Sequence, residues 1–282
     1  MDSRRVQIVT FNSNEARAVD AFLAQLVGVK NPTWKMDSPL SAVAPSTPKQ
    51  TIQHVPLAAQ GNTIAAGQVA RFFADSEAQD FIIFYGCAGA VDPGDVGSAF
   101  LVSGTNYVSL GTVEMTSHQE NVTVKSKWIV DTPSNDGPLS ALDLPLVSDS
   151  RLDLPMRTRI PTAHVIATDK VVRVGPAAPP IPLNSLPPHN TYTAREWSYA
   201  ESLGYFKTIQ NGVLLVEMES FGICTIAHAL GIAHRTLILR VATDDLVHHK
   251  LSDEQQFALL LKGRIVLARL VLAVLRPGVR LS

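Results

Sequence analysis

Phe81-Ile-Ile-Phe-Tyr85 is an unbroken run of apolar and aromatic residues, closed at once by Gly86. A strand with one wet face alternates between polar and apolar residues; a run without alternation suits a strand covered on both faces. The rest of the chain supplies the covering. Val6 to Phe11 reads as a first strand. A helical pattern follows from about Ala16 to Val27, with Ala16, Val19, Phe22, Leu23 and Leu26 on one face. Residues 31–60 read as irregular or as short extended pieces, and Thr63 to Phe73 as a second helix. Further strands are expected at Ser98–Val102, His164–Thr168, Val171–Val174 and Leu237–Val241, with 121–130 as an outer strand and 131–160 as loop. Residues 194–206 and 219–230 carry helical patterns. Ser252 opens a long final helix, because SDEQ makes a capping box with Gln255 at the third helical position. Such alternation predicts an α/β protein, with helices on both sides of a mainly parallel or mixed sheet.

A chain of 282 residues is within reach of one large α/β domain. The main candidate for a boundary is Pro176–Pro188, with six prolines in thirteen residues. It suits neither a helix nor a central strand. Too few residues follow it to build a second α/β domain, so a linker or lid arm within one domain, residues 1–282, is the preferred reading. With 24 Lys and Arg against 25 Asp and Glu, the chain lacks the basic tract of a nucleic-acid backbone binder. Two cysteines, Cys87 and Cys224, make neither a disulfide framework nor a four-ligand zinc site by themselves. His248-His249 point apart in any regular element, and no third ligand has diagnostic spacing, so no metal is expected. The first residues are not expected to act as a signal peptide, and the apolar stretch IVLARLVLAVL, 11 residues with Arg269 inside, is too short for a membrane span. The expectation is a reducing, cytoplasmic setting and a small-molecule partner, with no nucleic acid and no membrane.

Ligands of open α/β sheets gather beyond the C-terminal ends of the strands. Four groups stand there: Asn12-Ser-Asn-Glu15, Gly86-Cys-Ala-Gly89, Glu217-Met-Glu219 and Thr243-Asp-Asp245. Gly86 to Gly97 reads as a turn-rich stretch. Its glycines are either turn residues or a place where backbone N–H groups meet a polar ligand. Cys87 is a small filler in the one reading and part of the ligand wall in the other; no histidine is placed locally to activate it as a nucleophile. Glu217 and Glu219 straddle Met218 at a strand–helix junction. Glu219 then lies near the helix N-terminus, which favours it as an anion; a plain helix-start carboxylate is the competing reading. Asp244 and Asp245 are either caps or acids held in a crevice.

These segments resemble the purine nucleoside phosphorylase/uridine phosphorylase superfamily, which includes the methylthioadenosine/S-adenosylhomocysteine nucleosidases. GVLLVEMES (212–220) resembles the family's V-E-M-E segment, and LRVATDD (239–245) its R-x-x-S-D segment with Thr243 for Ser. YGCAGAVDPGDVG (85–97) resembles its glycine loop, and HVIATDKV (164–171) its I-A-S-G-D-x-F strand. The resemblance spans roughly 5–118, 160–172 and 210–265. It implies a single domain with a central mixed, partly barrel-like sheet flanked by helices, cleavage of an N-glycosidic bond, no cofactor, and a homo-oligomer (dimer, trimer or hexamer) in which His118 or 119–160 completes a neighbour's pocket. It further implies that Glu219 holds the ribose hydroxyls, that Met218 packs on the sugar, that Asp244 protonates or hydrogen-bonds a purine nitrogen, and that Arg240 lies near the nucleophile beside Cys87, Ala88 and Gly89. Glu217, Thr243 and Val171 complete the implied substrate-binding set.

The attacking group divides the superfamily. Glu15 matches the glutamate with which the nucleosidases hold water. The phosphorylases hold phosphate with arginines; Arg17 is available for one, but Phe84 stands where the second is expected. An aromatic ring cannot neutralise a dianion, so hydrolysis of a purine nucleoside or derivative is the favoured reaction. Phosphorolysis to ribose 1-phosphate is the alternative, and an inactive nucleoside-binding sensor or structural subunit the third. Val171 stands where an aromatic residue stacks on the base; Tyr192, Trp197, Tyr199 and Phe206 are candidates to replace it. Asp169 is expected to order the strand-end loop. Residues 119–160 and 173–200 depart from the family and are expected to form a lid or a subunit contact.

Overall fold

The computed structural model describes residues 5–26, 41–43, 51–74, 80–107, 113–118, 121–126, 142–143, 160–168, 181–182, 212–245 and 251–275. In chain order these form β1 (Arg5–Thr10), α1 (Ser13–Leu26), β2 (Ser41–Val43), β3 (Thr51–Pro56), α2 (Asn62–Ala74), β4 (Asp80–Ala90) and β5 (Ala99–Tyr107). There follow β6 (Val113–His118), β7 (Asn121–Ser126), β8 (Leu142–Asp143), β9 (Thr162–Ala167), β10 (Ile181–Pro182) and β11 (Val213–Glu217). Last come α3 (Ser220–Ala229), β12 (Thr236–Asp245) and α4 (Asp253–Leu275).

The main sheet is mixed and runs β11-β9-β5-β12-β4-β1-β3-β2. Strands β1, β3, β4 and β12 are mutually parallel where they pair, whereas β5 lies antiparallel to β12. The far end of β4 pairs a second time, antiparallel with β11, through Val216 opposite Gly89 and Leu215 opposite Ala90. That pairing closes β4, β12, β5, β9 and β11 into a ring, the barrel-like part of the fold. A small separate sheet joins β10, β7 and β6. Ile181–Pro182 sits on its edge, where a proline's missing N–H is tolerated.

The uniform apolar run of β4 follows from two cores. Phe81, Ile83 and Tyr85 face a core shared with Val19, Phe22 and Leu23 of α1 and Leu260, Leu267 and Leu270 of α4. Ile82 and Phe84 face the opposite core, with Val69 and Phe73 of α2 and Ile223 of α3. Each fully buried side chain of this size contributes roughly 1.5–3 kcal/mol. Phe84 stacks on Phe11 with ring centroids 5.8 Å apart and meets Phe73 edge-on at 5.9 Å. The capping box of α4 forms as its sequence predicts: the Ser252 N–H donates to Gln255 Oε1, and the Gln255 N–H to Ser252 Oγ.

Several expectations need correction. Gly86 to Ala90 is not a turn; it continues β4, because small residues let the strand bend into the ring with β12 on one edge and β11 on the other. The strands expected at Ser98–Val102 and Leu237–Val241 extend to Tyr107 and Asp245, their partners running further than the apolar runs. Within the expected loop 131–160, Leu142–Asp143 pairs with β5. The expected elements at Val171–Val174 and 194–206 lie outside the described residues. No helix among the described residues is long and apolar enough to cross a membrane.

Candidate functional site

Three consequences of the ring build one cleft. The ends of β1, β4, β11 and β12 converge, the turn after β1 leads straight into α1, and the first turn of α4 leans over the opening. The cleft has a volume of about 690 Å³. Asn12, Ser13, Asn14 and Glu15 line it from α1's start, Cys87, Ala88 and Gly89 from β4, Glu217, Met218 and Glu219 from β11 and its turn, and Thr243 and Asp244 from β12. Asp253 and Gln256 of α4 close one side. The structure thus brings together every expected site residue it describes except Arg240, which lies beneath the cleft floor and is fully buried. Val171, Asp169, Tyr192, Trp197, Tyr199 and Phe206 lie outside the described residues, as does the side chain of His118.

Three backbone N–H groups hold Glu15. Its Oε2 accepts the N–H groups of Phe11 and Asn12 at 2.9 and 3.1 Å, and its Oε1 accepts that of Cys87 at 2.9 Å. The Asn12 side chain caps the same turn by accepting the Glu15 N–H at 2.9 Å. Three N–H donors fix the direction of the carboxylate.

Gly86 has its reason here. A Cβ at this position would lie 2.2 Å from Arg240 Nη1 and 2.7 Å from Glu15 Oε1. The strand is glycine because the guanidinium and the carboxylate both pass over it. Gly86→Ala is therefore expected to cost about 1–3 kcal/mol through overpacking and to displace Glu15. Urea unfolding checks this, and a variant as stable as wild type would contradict it.

The two glutamates of the Val-Glu-Met-Glu segment divide their work in a way the sequence does not reveal. Glu217 accepts the N–H groups of Glu219 at 3.0 Å and of Ser220 at 2.9 and 3.0 Å, so it caps the start of α3. It also accepts Arg240 Nη2 at 2.6 Å. Glu219, at the N-cap position of α3, makes no side-chain cap. Its Oε2 lies 3.6 Å from the same Arg240 nitrogen. The expectation that the helix N-terminus favours Glu219 as an anion is thus corrected. Burial, then the charge of Glu217, push the Glu219 carboxyl well above the usual range; Arg240 opposes this only in part, and Glu15 adds to it. Arg240 is itself held protonated: burial works against its charge, and Glu217, Glu219 and Glu15 more than offset that.

Thr243 and Asp244 are neighbours in sequence, and in a regular strand they would face opposite ways. Both line the cleft. The register of β12 against β4 shifts between Ala242 and Asp244, a bulge that re-aims the pair. Cys87 sits between Asn12 Nδ2 and Gln256 Nε2, each 3.6 Å from its sulfur. Burial, then Glu15 and Glu219, push its thiol up, which disfavours a nucleophilic thiolate. Asn14 donates to Asp253 at 3.2 Å and to Gln256 at 2.8 Å; these α4 groups carry no signal in the sequence, because only the docking of α4 on α1 brings them to the cleft.

The arginines considered for phosphate do not meet. Arg17 lies over the Phe257 ring, 4.5 Å from its centroid, and does not line the cleft. Arg240 is engaged below it. Among the described residues the cleft wall holds Glu15, Glu217, Glu219, Asp244 and Asp253, and no Lys, Arg or His.

No family model matches the chain, and no curated protein matches it. Solved structures do. The chain is similar to S-adenosylhomocysteine nucleosidase from Streptococcus pyogenes in complex with 5-methylthiotubericidin, with a TM-score of 0.57 and 17% identity, covering 98% of this chain and 99% of that one. It is similar to 5'-methylthioadenosine/S-adenosylhomocysteine nucleosidase from Neisseria meningitidis, with a TM-score of 0.52 and 15% identity over 96% and 97% of the two chains. Futalosine hydrolase of Helicobacter pylori gives a TM-score of 0.53 and 12% identity over 96% and 97%. Over nearly its whole length, the chain has the fold of these nucleosidases.

Proposed function

We propose that the cleft cleaves the N-glycosidic bond of a purine nucleoside or derivative by hydrolysis. The observation that carries this reading is the convergence of Glu15, Glu219 and Asp244 in one cleft, with Glu15 fixed by three backbone N–H groups. The solved structures with this fold are nucleosidases and a futalosine hydrolase, which supports the reaction class.

Breaking a ribosyl C–N bond builds positive charge on the sugar and sends the bonding electron pair to the base. Glu15 orients a water and takes its proton as the oxygen bonds to the anomeric carbon. Glu219 receives the ribose hydroxyls, and Met218 packs on the sugar. Asp244 supplies the hydrogen bond or proton that neutralises the departing base. Arg240 Nη1, buried beside Gly86 and Glu15, has no hydrogen-bond partner among the described residues. The products are free sugar and free base.

The charge of the wall favours water over phosphate as the attacking group. A phosphate dianion would enter among five carboxyl side chains, with no Lys, Arg or His of the described residues on the cleft wall to pair with. The test is base release from a panel of purine and pyrimidine nucleosides, with and without inorganic phosphate. Free base and free ribose from purine nucleosides, at a rate unchanged by phosphate, is the expected result. Phosphate-dependent formation of ribose 1-phosphate would overturn hydrolysis, and no release across the panel would overturn the enzyme reading.

A further inference from the structure

We propose that Glu217 and Glu219 together hold one proton, carried on Glu219, and that the cleft gives it up when a cationic, sugar-like ligand binds. The ligand part rests on the nucleosidase reading; the proton does not.

The argument starts from charge. Glu15, Glu217 and Glu219 are all buried, at 2%, 6% and 9% exposure, around one guanidinium that is fully buried. Three adjacent carboxylates with one cation among the described residues beside them do not all stay ionised out of water, because an uncompensated buried charge is strongly disfavoured. The hydrogen bonds decide which one is neutral. Among the described residues, the N–H groups that reach Glu217 are the Glu219 and Ser220 backbone groups and Arg240 Nη2. They occupy both of its oxygens as acceptors. Glu15 is in the same position, with three backbone donors.

Glu219 has no such set. Its side chain does not cap the helix, and the nearest cation among the described residues is 3.6 Å away on a nitrogen already committed to Glu217 at 2.6 Å. The groups that face it are Glu217 from β11, Glu15 from α1, Cys87 from β4 and Arg240 from β12, with Asp244 and Asp253 on the walls of the same cleft. Arg240 is the one cation in that set. The upward push on the Glu219 carboxyl agrees with this assignment.

A neutral Glu219 both donates and accepts, which suits two neighbouring sugar hydroxyls. A cation arriving at the sugar position reverses the balance: it supplies the missing positive charge, and the proton leaves to solvent. A neutral ligand has no such effect.

Infrared difference spectroscopy of the full chain at neutral pH, wild type against Glu219→Gln, tests the resident proton. The expected result is a protonated-carboxyl C=O band in wild type that disappears in the variant. The same band must move when glutamate is carbon-13 labelled, a measurement that needs no variant. Absence of a band that moves on labelling overturns the proton. Calorimetric titration in buffers of different ionisation heat tests its exchange, with a hydroxylated pyrrolidine protonated at its ring nitrogen as the cationic probe and the corresponding neutral cyclopentane as the control. Proton release with the pyrrolidine and none with the cyclopentane is expected; equal release, or a pyrrolidine that does not bind, overturns the exchange. A band without base release from any nucleoside keeps the proton and sinks the nucleosidase reading. Base release without the band does the reverse.

Discussion

Glu15→Gln is expected to lower base release by about 10²–10⁴-fold, the range for losing a positioned general base. The geometry makes this substitution informative. Glu15 accepts N–H groups on both oxygens, from Phe11 and Asn12 on Oε2 and from Cys87 on Oε1. A glutamine keeps one acceptor and turns the other position into an NH₂ that faces an N–H. One donor or the other is left unsatisfied, at a cost of about 1–3 kcal/mol. The rate must therefore be read on protein shown to be folded by circular dichroism and thermal unfolding. Glu15→Asp keeps the charge but shortens the reach, so it should fold and still be slow. A folded Glu15→Gln protein that releases base at near the wild-type rate would remove Glu15 from the mechanism.

The second large effect is on stability. Glu217→Ala strips Arg240 of its 2.6 Å partner and leaves the first N–H groups of α3 without their acceptor. Removing one member of a buried pair costs about 3–5 kcal/mol, because the remaining charge stays out of water without compensation. Urea unfolding should show that loss. Arg240→Met made together with Glu217→Ala removes both charges, so the double variant should be more stable than the sum of the two single changes. Strict additivity would mean that the pair is not coupled. Glu219 offers no full substitute for Glu217, since it stands 3.6 Å from the same nitrogen.

Much of the architecture is legible in the chain. The unbroken Phe81–Tyr85 run announces a strand between two cores, and both cores are there. Ser252 and Gln255 announce the start of α4, because a capping box is local and needs only its own turn. Glu15, Glu219 and Asp244 are legible as candidates because each comes shortly after an apolar run in the sequence. Other features are hidden for definite reasons. Gly86 to Ala90 reads as a turn by composition, since glycine and alanine say nothing about the strands that will pair with them. The bulge that turns both Thr243 and Asp244 into the cleft arises from a register against β4, some 150 residues earlier in sequence. Asp253 and Gln256 reach the cleft only because α4 docks on α1.

Residue type and strand-end position, which are properties of neighbouring residues, determine the α/β alternation and place carboxylates at the mouth of the sheet. Ionisation is not local in that sense. Glu217 and Glu219 are two positions apart and chemically identical, yet one is anchored by N–H groups and Arg240 while the other is pressed upward by burial and by its neighbour's charge. The N–H groups and the charge of Glu217 lie within three residues, but Arg240 and Glu15 come from β12 and α1, elements distant in the chain, and act through space over a few ångströms. Only the closed ring of strands assigns them.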